Sequence, residues 1–120
     1  MNMKQKHKRA LVYCRTATNE QNRNNSIARQ EVMCRQFAKD RNYKIVEVIS
    51  EVASGMTLNR KGFKRLMTIV KQGKVDVICV ASICRLTRNF ANCQKLYGQL
   101  VSHNIGLDIA GLSTAHRSRQ

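Results

Sequence analysis

Apolar residues in this chain recur with a period that switches repeatedly between two and 3.6, and that alternation constrains the fold more than any other feature. Leu11-Val12-Tyr13-Cys14 is a short apolar run suited to a buried strand. The Asn-rich stretch 19–25 reads as a loop, and Ser26 is placed to N-cap a helix with Ile27, Cys34, Phe37 and Ala38 on its apolar side. Lys44 to Ser50 carries Ile45, Val46, Val48 and Ile49, a β-branched run that predicts a second strand. A loop is expected over Glu51 to Arg60, with Gly55 lending backbone freedom. From Lys61, Phe63, Leu66, Met67 and Val70 follow at i, i+3, i+4 and i+7, a second helix that Gly73 ends. Val75 to Ala81, broken only by Asp76, predicts a central strand covered on both faces. A third helix is expected to carry Phe90, Cys93, Tyr97, Leu100 and Val101 on one apolar face, and Leu107, Ile109 and Leu112 predict a fourth strand.

Strands alternating with helices of this length define βαβ units. The expected fold is α/β: three layers, with a mainly parallel sheet of about four strands covered by helices on both faces. The expected organisation is a basic N-terminal tail (1–9), one domain (10–114) and a polar C-terminal tail (115–120). One domain is the natural division of 120 residues, and a hydrophobic share of 42% excludes disorder throughout. No apolar run approaches the ~18 residues of a membrane helix, and no hydrophobic stretch follows the basic start as in a secretory signal. The expectation is a cytoplasmic protein whose five cysteines, lacking paired short spacing, are reduced thiols rather than a disulfide framework or a zinc site. Twenty-two Lys and Arg against seven Asp and Glu leave a net charge of +15, which favours a polyanionic partner, nucleic acid before membrane.

Open parallel sheets bind ligands outside the carboxyl ends of their strands. The first three predicted strands lead there into Arg15-Thr16-Ala17-Thr18, into Ser54-Gly55 and Arg60, and into Arg85-Leu86-Thr87-Arg88. Four arginines would share one rim, with Glu20 and Glu51 the nearby carboxylates. Arg85 and Arg88, three apart, would project to one side of a helical first turn. Crowded guanidiniums repel unless an anion joins them, and their planar fork matches phosphate oxygens. The sequence has no Gly-rich phosphate loop and no cluster with metal-ligand spacing; His7, His103 and His116 are isolated. The expected chemistry therefore needs no metal or other cofactor. It is anion stabilisation by arginine, which would pair with a protein hydroxyl as nucleophile.

These residues also resemble a known family. Tyr13-Cys14-Arg15-Thr16-Ala17-Thr18, Gln21, and Ser26-Ile27 with Gln30 look like the opening of the serine recombinases, the resolvase/invertase group, whose first strand ends in Tyr-x-Arg-Val-Ser-Thr. Ser54-Gly55 with Arg60, Val75-Asp76-Val77, and Arg85-Leu86-Thr87-Arg88-Asn89 follow in family order, so the resemblance runs from about Tyr13 to Ser113. It implies a resolvase-like catalytic domain for DNA strand cleavage and exchange. In that family a serine attacks a DNA phosphodiester without metal, forms a 5′-phosphoserine link, and exchanges strands within a tetramer. By matched position Arg15, Arg85 and Arg88 would hold the phosphate, Ser54 and Arg60 would support it, and Gln21 would assist.

Three departures qualify the resemblance. Ala17 stands at the position of the nucleophilic serine, and removing such a serine from a hydrolase costs about 10⁶ in kcat. The expectation is a cleavage-defective recombinase domain; the alternative is a non-catalytic DNA-binding or regulatory module that pairs with active recombinases. Cys84 occupies the place of an aspartate, and its use as nucleophile in another phosphate-ester reaction is a further reading. The sequence also stops at Gln120 before the family's long dimerisation helix and DNA-binding domain, which implies a weakened homodimer or tetramer.

Overall fold

The computed structural model describes residues 7–17, 26–54 and 56–111. Strand β1 spans Arg9–Thr16, β2 Lys44–Val52, β3 Val77–Val80 and β4 Gly106–Ile109; helix α1 spans Ile27–Asp40, α2 Lys61–Lys71 and α3 Phe90–Ser102, with a 3₁₀ turn over Ile83–Arg85. The strands form one parallel sheet in the order β2-β1-β3-β4. The expected three-layer α/β architecture is present. Side chains of β1 alternate between two cores: Leu11 and Tyr13 pack with residues of α2 and α3, whereas Val12 and Cys14 pack with Cys34 and Phe37 of α1. Leu11, Leu66, Leu96 and Leu100 are essentially inaccessible, each contributing about 1.5–3 kcal/mol by leaving water.

Local chemistry sets the helix limits. The Ser26 side chain accepts the Arg29 amide at 3.1 Å, and Asn89 accepts that of Asn92 at 3.0 Å. After α2 the chain turns through Gly73 at φ 69°, as expected; Asn42 and Asn104 adopt the same left-handed conformation after α1 and α3. Among the described residues no helix is long and apolar enough to cross a membrane.

Several boundaries differ from the sequence reading. Arg9 belongs to β1 rather than to a tail, because it pairs with Lys44 and binds Asp76. β2 continues through Glu51 and Val52 because Arg15 and Thr16 remain paired beside them. Val75 is buried, but β3 begins only at Val77, after Asp76 has turned to Arg9. Leu112, Gln21, Gly55, the Asn-rich stretch 19–25, residues 1–6 of the N-terminal tail and the C-terminal tail lie outside the described residues. The largest correction concerns α3, which buries Leu96 and Leu100 while Phe90, Tyr97 and Val101 are 77%, 60% and 58% exposed. The apolar stripe from Leu96 round to Val101 is wider than the face the core meets, so periodicity alone took in its exposed edge.

Candidate functional site

In the order β2-β1-β3-β4, consecutive strands are added in opposite directions on either side of β1, so the topological switch falls between β1 and β3. The carboxyl ends of two such strands part and leave a crevice. Ala17 leaves β1 there, exposed, and residues 83–88 leave β3.

Arg15 is buried to 1% exposure, and its guanidinium is committed to main-chain carbonyls. Nε donates to Arg85 O at 2.9 Å, Nη1 to Ala53 O at 2.6 Å and Nη2 to Cys84 O at 2.6 Å. One side chain thus ties β1 to the loop after β2 and the turn after β3. Gln30 of α1 fixes the same residue from behind: its Oε1 accepts the Arg15 amide and its Nε2 donates to the Arg15 carbonyl, both at 3.0 Å. Burial, followed by the neighbouring charges of Arg60 and Arg85, lowers the Arg15 pKa.

Arg60 is 4% exposed; its Nη2 donates to Leu86 O, and its guanidinium lies 5.2 Å from the Phe63 ring centroid and 5.8 Å from that of Tyr13. Its Nε and Nη1 have no hydrogen-bond partner among the described residues. Arg85 is half-buried and donates from Nη1 to Arg15 O at 3.2 Å. Arg88 is exposed, beyond the 3₁₀ turn rather than on a shared helical turn with Arg85. Ser54 is also exposed, its Oγ accepting the Met56 amide at 3.1 Å. It follows Ala53, whose amide donates to Thr16 O, so Ser54 and Ala17 flank the same backbone hydrogen bond. Cys84 is half-buried, with Sγ 3.2 Å from Ser82 Oγ.

The structure therefore brings together Arg15, Arg60 and Arg85 on the 84–86 segment, with Ala17 and Ser54 beside them and Arg88 at the solvent edge. Three residues complete this framework in ways the sequence reading did not assign. Gln30 holds Arg15, and the Tyr13 hydroxyl donates to Glu51, whose other carboxylate oxygen accepts the Gly62 amide at 2.8 Å. Glu51 thereby caps α2, whose Arg60 N-cap has no side-chain cap of its own. Burial and the Glu51 hydrogen bond push the Tyr13 hydroxyl pKa upward. The available signal was a hydroxyl inside an apolar strand, which needs a buried partner.

Residues 10–119 match the model of the resolvase N-terminal domain, so the chain belongs to that family. A protein of Acanthamoeba polyphaga mimivirus carrying the name resolvase R771 is 31% identical over 85 residues, 71% of this chain but 41% of its own length. The chain thus spans less than half of that relative. The C-terminal catalytic domain of ISC1926 TnpA, an IS607-like serine recombinase, superposes with a TM-score of 0.72 at 29% identity, covering 84% of this chain and 68% of that one. The N-terminal catalytic domain of TP901-1 integrase shares the fold, with a TM-score of 0.79 at 20% identity over 88% of this chain and 79% of that one.

Proposed function

We propose that the chain is a site-specific recombinase domain that engages DNA phosphates at the β1–β3 crevice but does not form a protein–DNA link. The observation that carries this reading is Ala17, exposed at the position where the family resemblance expects a serine, beside an otherwise assembled arginine framework. Alanine has no hydroxyl to attack phosphorus, and no other residue need be displaced to explain inactivity. Arg88 and Arg85, the more accessible arginines, contact the phosphate. Arg15 and Arg60 hold the loops in place, and the unbonded N–H groups of Arg60 face the cost of burial without a partner until an anion draws near. Ser54 stands beside the approach, and Gln21 assists by the family resemblance. Metal plays no part in this scheme.

Incubation with supercoiled site DNA followed by denaturing electrophoresis tests the proposal. The native chain is expected to give no covalent adduct, and Ala17→Ser to give one. An adduct from the native chain overturns the inactivity; a Ser variant that neither links to nor binds DNA overturns the site.

The exposed Phe90, Tyr97 and Val101 on α3 favour a second reading, in which the domain pairs with active recombinase subunits. Co-purification that is independent of DNA and abolished in Tyr97→Glu supports that reading.

A further inference from the structure

The opposite end of the molecule carries an excess of positive charge. In this parallel α/β arrangement all three helices run antiparallel to the strands, so their C-termini lie at the amino edge of the sheet. Basic residues there are expected, since each helix end presents about half a negative charge, about −1.5 in total. The supply is larger. Lys39 and Arg41 sit at the end of α1, Lys71 and Lys74 at the end of α2, and Lys8, Arg9 and Lys44 at the strand starts. Among the described residues, two carboxylates, Asp40 and Asp76, stand against these seven cations, leaving an excess of five charges, of which the helix dipoles balance under a third. Asp76 is spent on Arg9, through paired bonds of 3.0 and 2.9 Å. Lys8 and Lys44 are exposed on the wall of a cleft of about 1030 Å³ between the starts of β1, β2 and β4 and the end of α3.

We infer that this amino edge binds a second stretch of nucleic-acid phosphate backbone, separate from the crevice. The eight residues of β1 place the two ends of the sheet about 26 Å apart, some three Debye lengths at physiological salt. Each end therefore acts as an independent electrostatic site, and a phosphate held at one is not the phosphate held at the other. Lysine suits the task, being a point charge that neutralises backbone without reading sequence.

The inference rests on the proposed reading that DNA is the partner, and the salt dependence of binding separates the two. Fluorescence anisotropy with a short labelled duplex gives the slope of log K against log salt, whose magnitude falls by about 0.9 for each phosphate that the protein no longer neutralises. Lys8→Gln/Lys44→Gln is expected to reduce the slope by about two, Arg88→Gln by about one, and the combination by the sum. The charge-matched control Lys64→Gln/Lys95→Gln, on exposed positions of α2 and α3, is expected to leave it unchanged. A slope unaltered by Lys8→Gln/Lys44→Gln, or lowered equally by the control, overturns the inference and leaves the crevice reading standing. Failure of the native chain to bind duplex overturns both. A reduced slope in the lysine double variant with none in Arg88→Gln supports the inference and removes the crevice contact. Circular dichroism and Tm matching the native chain establish that each variant is folded.

Discussion

Glu51 reaches two partners at once because Gly62 has no side chain. A Cβ added at Gly62 would stand 2.6–2.9 Å from the Glu51 carboxyl group, which is a flexible side-chain end and would swing away. The Tyr13 hydroxyl and the Gly62 amide would then lose their acceptor in a buried setting. Gly62→Ala is expected to destabilise the domain by about 1–3 kcal/mol in chemical denaturation, despite the higher helix propensity of alanine. Arg15 poses a sharper question, because the family resemblance makes it a phosphate ligand while the structure makes it a tie between loops. Arg15→Lys cannot serve carbonyls of Ala53, Cys84 and Arg85 together, and a loss of about 2–4 kcal/mol is expected. Unchanged stability with weakened DNA binding would instead make phosphate the main partner of Arg15. The sequence placed Arg15 at the end of β1 and Arg85 after β3, since strand ends locate them. It did not reveal how far each faces solvent, because burial of Arg15 depends on carbonyls supplied 38 to 70 residues away.

At the scale of elements, β1 and β3 are joined before their ladder begins. Asp76 accepts from the Arg9 amide at 2.8 Å as well as from its guanidinium, and these bonds hold the Asp76 carboxyl at a pKa of about 2. A carboxylate with a depressed folded pKa stabilises the fold above its unfolded value near 4, and the contribution disappears as pH falls through about 2. Both side chains are about two-fifths exposed, so solvent screens much of the effect. Asp76→Asn is expected to lower Tm at pH 7 by a few degrees, with the difference from the native chain closing between about pH 4 and pH 2. A difference independent of pH would assign the effect to packing. This pair also explains why the strand boundaries were only partly legible. Short apolar runs rich in β-branched residues located the strands, because Leu11, Ile49 and Ile78 had to leave water, whereas the ends depended on particular cross-strand partners. On α3 the limit was different: Leu96 and Tyr97 are neighbours of similar apolar character, and only the sheet decides that Leu96 turns inward.

For the molecule as a whole, the five cysteines report how the domain opens. Cys14, Cys34 and Cys79 are fully buried together between α1 and the sheet, whereas Cys84, in the turn after β3, and Cys93, on α3, are partly accessible. Burial pushes the Cys14 thiol up to about 12, and a hydrogen bond with Cys79, added to burial, raises that of Cys34. Thiolate is the reactive form, so these core thiols are silent to a disulfide reagent twice over, by access and by ionisation. Native protein at pH 8 is expected to label promptly at Cys84 and Cys93, with two adducts by mass spectrometry and three more only as the domain unfolds. Because the three core thiols draw on β1, α1 and β3, they should react as a group, at a rate set by cooperative opening and slowed by any ligand that binds the folded state. Duplex DNA at low salt is therefore expected to retard the slow set, while leaving its cooperativity intact. Labelling of Cys34 ahead of Cys14 and Cys79 would show instead that α1 lifts from the sheet on its own, detaching Gln30 from Arg15 and loosening the crevice without global unfolding.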